Sequence, residues 1–383
     1  MSAQGYENVE TLTGSLSEAE LIEALQDVQF LGIRSRSPIT ENVINSAGKL
    51  AAIGCFCIGT NQVDLHAAQR VGVPVFNAPY SNTRSVAELA LAEIILLMRG
   101  IPARNAAAHR GDWHKSASGA REIRGKTLGI VGYGHIGSQL STLAESLGMS
   151  VIYYDIEHKL PLGNAKSRVS LRQVLTEAHV VSLHVPETPE TSNMIGANEL
   201  ATMREGSYLI NASRGNVVDI QALRAALDSS HIGGAAIDVF PAEPKGAGEE
   251  FLSPLRGVDN VLLTPHIGGS TVEAQGNIAA EVAGKLIKYS DNGSTLSAVN
   301  FPQVVLPDHE GVRRILHIHR NEPGVLQQIN QVFSDHDINI AAQYLQTHES
   351  IGYVVMDIES AHVSDLFDSL REIDSTIRCR VLH

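Results

Sequence analysis

Three residues with chemistry to offer stand just past three short apolar runs of this chain. Residues 207–212 lead into Ser213-Arg214-Gly215, residues 234–240 into Pro241-Ala242-Glu243-Pro244, and residues 261–264 into Pro265-His266-Ile267-Gly268-Gly269. Taken singly, an arginine after a strand is most often a surface charge and a proline-flanked histidine a loop residue. As an ordered set they suit hydride transfer at a carbon that carries a hydroxyl beside a carboxylate. The planar fork of Arg214 would grip the carboxylate and polarise the neighbouring oxygen, with a directionality lysine lacks. His266 would take or give the hydroxyl proton, and Glu243, paired with the imidazole, would fix its tautomer.

A second motif lies upstream. An apolar run ending at Val131 opens into Gly132-Tyr133-Gly134-His135-Ile136-Gly137, a helical stretch follows, and a second apolar run ends at Asp155, 18 residues after Gly137. In that setting Gly132 permits a tight turn, Gly134 lets a pyrophosphate approach the backbone, and Gly137 allows close helix-strand packing. The helix start offers unpaired N–H groups to the phosphates. The Asp155 carboxylate would accept from both ribose hydroxyls and repel a 2′-phosphate, which selects NAD over NADP. His184-Val185-Pro186, at the end of another apolar run, is read as shaping the nicotinamide pocket.

The elements that must carry these residues follow from the apolar pattern. Ligands in doubly wound sheets bind beyond the carboxyl ends of the strands, which is where all these motifs stand. Residues 128–131 lack polar alternation, as parallel strands covered on both faces do. At 383 residues the chain exceeds a single core of roughly 150 residues, so several domains are expected. Short apolar runs alternate with helical stretches over residues 8–79, a longer α/β alternation fills 82–266, and residues 270–289 read as one helix. Residues 291–307, rich in Ser, Asn, Gly and Pro, read as a connector. Beyond it the order is βαββαβ, with strands at 314–319, 338–347, 351–358 and 376–382 and helices at 324–335 and 363–373; this is a ferredoxin-like arrangement.

Composition narrows the function classes. A net charge of -13 repels nucleic acid and anionic membrane, so an anionic substrate needs dedicated cations. No apolar run approaches the ~20 residues needed to span a bilayer, and residues 1–10 carry no export signal, so a cytoplasmic location is expected. Cys55, Cys57 and Cys379 read as small buried thiols without metal-ligand spacing.

On the glycine loop with Asp155, the Ser213-Arg214-Gly215 turn, Glu243 and His266, the chain resembles the D-2-hydroxyacid dehydrogenase family over nearly its whole length. The resemblance implies a Rossmann nucleotide-binding domain (82–268) inserted in a flavodoxin-like substrate domain (1–81 and 269–310), followed by an ACT regulatory domain (311–383). It adds Ala212, Ser213, Asp238 and Gly268 to the residues around NAD, with Arg214 and His266 shared between cofactor and substrate. Residues 32–36, 77–88 and the terminal βαββαβ unit resemble the serine-regulated bacterial branch. That branch implies oxidation of 3-phospho-D-glycerate, with possible side reduction of 2-oxoglutarate. Arg34, Ser35, Arg36, Asn82 and Lys115 would then meet the substrate, His319, Asn321 and Asn339 would bind L-serine, and the assembly would be a homotetramer anchored partly through Trp113. Relatives open the first lobe with a strand that has no counterpart before Gly5, and the hinge reads Glu310-Gly311-Val312 where a glycine pair would turn more freely. Competing readings are another 2-hydroxyacid dehydrogenase, such as a hydroxypyruvate or glyoxylate reductase, and an NAD-sensing corepressor.

Overall fold

A computed structural model describes residues 5–12, 14, 16–244, 248–309, 311–359 and 364–382. The chain divides into two compact units, residues 1–79 with 276–383, and residues 80–275. Among the described residues no helix is long and apolar enough to cross a membrane.

The first unit contains two sheets. One is parallel, in the order β1-β2-β3, with β1 at Phe30–Ile33, β2 at Ala52–Cys55 and β3 at Val75–Phe76. Every residue of β2 is buried, as a central strand of an α/β sheet requires. The flanking helices start where side-chain caps end the preceding turn. Ser17 forms a capping box with Glu20, and Thr40 and Asp64 accept from Val43 and Ala67 N–H. β1 is the edge strand, and described residues 5–12 form no strand beside it.

Residues 291–307 are not a loose connector. Asn292, Ser294, Thr295 and Asn300 are buried. Their side chains take over the backbone groups that a loop leaves unpaired: Leu306 N–H donates to Ser294 Oγ, Val304 N–H to Thr295 Oγ1, and Val75 N–H to Asn300 Oδ1. A Ser- and Asn-rich composition marks irregular backbone, and here that backbone is packed because the same residues satisfy it.

The second sheet of this unit is antiparallel, in the order β12-β13-β11-β14, with β11 at Arg313–Arg320, β12 at Ile340–His348, β13 at Ile351–Ile358 and β14 at Thr376–Leu382. Helices Val325–Asp335 and Ser364–Arg371 complete the βαββαβ order. The first of these starts one residue later than the sequence suggests because Gly324, at φ +90°, caps it in the left-handed region. The second strand starts at Ile340 rather than 338. Residues Glu310 and Val363, on which two sequence expectations fall, lie outside the described residues. Alternation along β11 splits its side chains between two cores. Ile315 packs with Val325, Ile329 and Phe333 of the helical layer, whereas Leu316 and Ile318 join Phe76, Val282 and Leu286 of the first lobe. Between them Arg314, fully buried, donates from Nε and Nη2 to the two Asp357 oxygens at 2.6 and 2.7 Å. Its Nη1 donates to the Asn292 and Pro307 carbonyls, so the guanidinium also fastens the ends of the 291–307 segment. Removing one partner of such a pair typically costs about 3–5 kcal/mol.

The second unit is one seven-stranded parallel sheet, in the order β10-β9-β8-β7-β4-β5-β6. Its strands are β4 Thr127–Val131, β5 Ser150–Tyr154, β6 Lys166–Ser167, β7 Val180–Leu183, β8 Ser207–Asn211, β9 Ile232–Ile237 and β10 Val261–Leu263. Two separate apolar cores cover its faces. Chain order reverses at β4, which pairs with β5 on one side and β7 on the other. The crevice at such a switch point is where a dinucleotide binds in doubly wound sheets. Helix Val272–Asn292, drawn in sequence as 270–289, leads out of this unit. Of the three cysteines, all unpaired, only Cys55 is fully buried, its thiol pushed up to about 12 by desolvation. Cys57 and Cys379 are partly buried against the neighbouring apolar cores, and desolvation raises both thiols, that of Cys379 to about 12.

Candidate active site at the carboxyl ends of the parallel strands

β4 ends at the glycine loop. Gly132 sits at φ +90°, and a Cβ there would lie 2.5 Å from the His184 carbonyl oxygen, so no other residue fits where the ends of β4 and β7 meet. The helix His135–Ser146 begins directly after Gly134, and a Cβ on Gly134 would meet nothing within 4 Å. The helix start is therefore open on the side from which a pyrophosphate would come, and the loop fits a dinucleotide. Asp155 closes the turn from β5. Its Oδ2 accepts from Tyr133 N–H at 2.7 Å and its Oδ1 from Glu157 N–H at 2.9 Å, which fixes the carboxylate at the mouth of the loop. The His135 ring lies against Tyr80, centroids 4.0 Å apart, while Ile136 and Gly137 fall in the first turn of the helix. His184 hydrogen-bonds Ser182 Oγ through Nε2 at 2.9 Å, and its Nδ1 is buried without a partner. Burial pushes this imidazole down to about 4, so it is neutral near pH 7. Val185 and Pro186 follow it out of β7.

The turn after β8 presents Arg214. Asn211 organises it: its Oδ1 accepts from Ser213 N–H and Oγ, and its Nδ2 donates to the Arg214 carbonyl. Arg214 Nη1 donates to the Ser213 carbonyl at 2.7 Å, and Ala212 lies between the two anchors. A Cβ on Gly215 would stand 2.0 Å from the Phe240 carbonyl carbon. Glycine there lets the Arg214 turn press on the segment that follows β9 and carries Glu243. Phe240 N–H donates to Glu243 Oε1 at 3.1 Å, and both Glu243 oxygens lie 2.9–3.0 Å from His266 Nδ1. A carboxylate only accepts, so Nδ1 carries the hydrogen and Nε2 is the nitrogen left to exchange a proton.

His266 occupies φ +53°, a left-handed conformation that costs a non-glycine residue about 1–3 kcal/mol. Asp238 holds it there. The Asp238 carbonyl accepts from His266 N–H at 2.8 Å. Its carboxylate, on a residue only 1% exposed, accepts from Thr264 Oγ1 (2.6 Å), Ile267 N–H (2.8 Å) and Gly268 N–H (2.8 Å). Sequence reasoning listed Asp238 among cofactor contacts and missed this bracing role, as it missed Asn211. An isolated acid one residue past an apolar run was the available signal.

Other expected site residues are placed as follows. Asn82 starts the helix Thr83–Met98 without capping it, and its Oδ1 is buried with no partner. Lys115 and Trp113 are exposed on the segment after helix Ile101–His109, Trp113 at 86%. Arg34, Ser35 and Arg36 form an exposed turn after β1, in the first unit. His319 is buried at the end of β11 with Nδ1 unpartnered, Asn321 Nδ2 donates to the Glu349 carbonyl, and Asn339 is exposed before β12.

Glu93 was not anticipated. It lies on the inward face of helix Thr83–Met98, 2% exposed, with neither carboxyl oxygen hydrogen-bonded. Desolvation, with the Asp238 charge nearby, raises it from 4.5 to about 8. A lone acid in phase with Val86, Ala90 and Leu97 was its sequence signal. A carboxyl whose pKa rises on folding binds its proton more tightly in the folded chain. It stabilises the fold fully below 4.5, and that contribution is lost as pH climbs through about 8. Glu93→Gln removes this dependence, on the order of a few kcal/mol. The melting temperature of the variant should gain on that of the parent between pH 5 and pH 9. A constant difference across that range would mean that Glu93 is already ionised in the fold.

Residues 91–268 match the family model of the NAD-binding domain of D-isomer specific 2-hydroxyacid dehydrogenases, and residues 315–378 match an ACT domain of the type found in acetohydroxyacid synthase (AHAS) small subunits. The chain is 61% identical to the D-3-phosphoglycerate dehydrogenase of Haemophilus influenzae, over 100% of its own length and 93% of that protein. It is equally similar to the enzyme of that name from Escherichia coli K12, over 100% and 94%. Among solved structures, D-lactate dehydrogenase with NAD+ from Lactobacillus jensenii superposes with a TM-score of 0.65 at 29% identity, covering 72% of this chain and 87% of that one. The chain belongs to the NAD-dependent D-isomer specific 2-hydroxyacid dehydrogenase family and carries an ACT domain at its C-terminal end.

Proposed function

We propose that this enzyme oxidises 3-phospho-D-glycerate to 3-phosphohydroxypyruvate, the step that opens serine synthesis. The observation that carries the reading is the Glu243–His266 pair, on the segment against which the turn carrying Arg214 packs, in a chain 61% identical over its full length to enzymes named for this substrate. The glycine loop, with Asp155 at the ribose and His184, Val185, Pro186 and Asp238 at the nicotinamide, would hold NAD, and NAD when bound would supply the acceptor for the C2 hydride. Arg214 grips the substrate carboxylate, and His266 Nε2 removes the C2 hydroxyl proton. Glu243 steadies the resulting imidazolium, which later returns the proton to solvent. Arg34, Ser35 and Arg36 take the phosphate, assisted by Asn82 and by Lys115 of a neighbouring subunit in a homotetramer. The domains are 1–81 with 269–310 for substrate, 82–268 for NAD and 311–383 for regulation.

In assays of NADH formation, 3-phosphoglycerate should exceed other 2-hydroxy acids in kcat/KM, and His266→Ala should lose roughly 10²-fold or more in kcat while still binding NADH. Equal use of glycolate or glycerate would overturn the substrate, and near-normal turnover of the variant would overturn the base.

The ACT domain supports a second part of the reading: L-serine, bound by His319, Asn321 and Asn339, inhibits the enzyme. The unpartnered Nδ1 of the buried His319 suits a small polar ligand. Coupling between such sites is typically ~1–3 kcal/mol, so millimolar serine should lower the initial rate several-fold in the parent and much less in Asn321→Ala. Identical responses of the two proteins would reject this site.

A further inference from the structure

At the amino ends of the parallel strands, the edge opposite the catalytic motifs, the second unit holds a cleft that the reaction does not use. It is a small depression, partly open to solvent, lined by Met98, Arg121, His179, Arg204, Glu205 and residues 206–208. Several of the polar groups stand at the start of a strand: His179 precedes β7, Arg204 and Glu205 precede β8, Ser207 begins it, and Lys126, whose charge bears on His179, precedes β4. Parallel strands start at one edge of a sheet, so the topology gathers these residues.

Three observations identify what the cleft accepts. First, Ser207 is 2% exposed and its hydroxyl has no hydrogen-bond partner, although it lines the cleft. A buried hydroxyl without a protein partner is uncommon in native folds, and that of Ser207 is left to bond a group from outside the chain. Second, Thr127 N–H donates to His179 Nδ1 at 3.1 Å, which fixes the tautomer and leaves Nε2–H as a second donor. Third, burial, and after it the charges of Arg204, Lys126 and Arg121, hold His179 below its usual range. None of these three cations enters an ion pair formed among the described residues. In a chain of net charge -13, three cations bear on one imidazole, and the exposed Glu205 carboxylate stands among the lining residues with them. Hydroxyl, imidazole N–H and guanidinium donors gathered at one place match a tetrahedral oxyanion.

We propose that this cleft binds the phosphate group of a small anion, at a site remote from the substrate and cofactor. The full-length protein is titrated with inorganic phosphate and, separately, with glycerol 3-phosphate, at ionic strength held constant with chloride. The ring resonance of His179, identified by its loss in His179→Gln, is followed through its pH titration. A bound anion faces the imidazole, so either ligand should raise the His179 midpoint by about 1 pH unit. The shift should be absent in the Arg121→Gln/Arg204→Gln double variant and reduced in Ser207→Ala, both with unchanged turnover. A response to both compounds identifies the phosphate group itself as ligand, and a response to glycerol 3-phosphate alone identifies a phosphomonoester. No movement of the midpoint with either compound, or an equal movement in the double variant, overturns the proposal.

Discussion

The backbone of His266 lies where a histidine is rarely found, and one carboxylate keeps it there. Asp238 accepts hydrogen bonds from both residues that follow His266 and from the Thr264 hydroxyl, while its carbonyl receives the N–H of His266 itself. These contacts offset the left-handed φ and turn the imidazole toward Glu243. Much of the surrounding architecture serves that arrangement. β9 must end one residue before Asp238 so that its carboxylate meets the turn after β10, and Gly215 must be bare so that the Arg214 turn can lie against Phe240. Glu93, protonated in the same interior, brings a carboxyl near Asp238 without a second negative charge.

The motifs that carry chemistry were legible in the sequence because their constraints are local. Gly132 is dictated by the left-handed turn that leaves β4, at φ +90°, Asp155 by its place at the end of β5, and Glu243 and His266 by strand ends that apolar runs announce. The βαββαβ order was legible for the same reason, its six elements each having a period and a turn to mark them. What escaped depends on residues distant in sequence. The tie of Asp238 to Gly268 spans 30 positions, the burial of Glu93 is set by packing rather than by helical propensity, and the 291–307 segment has the composition of a loop. Its order comes from Arg314, which reaches Asn292 and Pro307 while paired with Asp357. Polar composition cannot separate a solvated loop from one whose Ser, Thr and Asn side chains bind its own backbone.

The parallel sheet also separates two kinds of polar edge. At its carboxyl ends, side chains and turns converge on a hydride-transfer arrangement, and at its amino ends cations and unpaired donors gather around His179. In the first unit, β11 sends alternate side chains into the helical layer and into the core of the first lobe, so that the ACT sheet and the lobe share one apolar cluster. The ACT sheet is therefore packed directly against the first lobe, along β11 and the Arg314 brace.

The central claim is that Asp238 acts through His266. A double-mutant cycle tests it directly, with kcat measured at saturating NAD so that cofactor affinity does not enter. Asp238→Asn keeps the side-chain shape but loses an acceptor for the Gly268 N–H, and by itself should slow turnover roughly 10²-fold. In the His266→Ala background the same change should cost almost nothing further, because the residue it positions is gone. Full additivity of the two losses would contradict the account and assign Asp238 a role independent of His266.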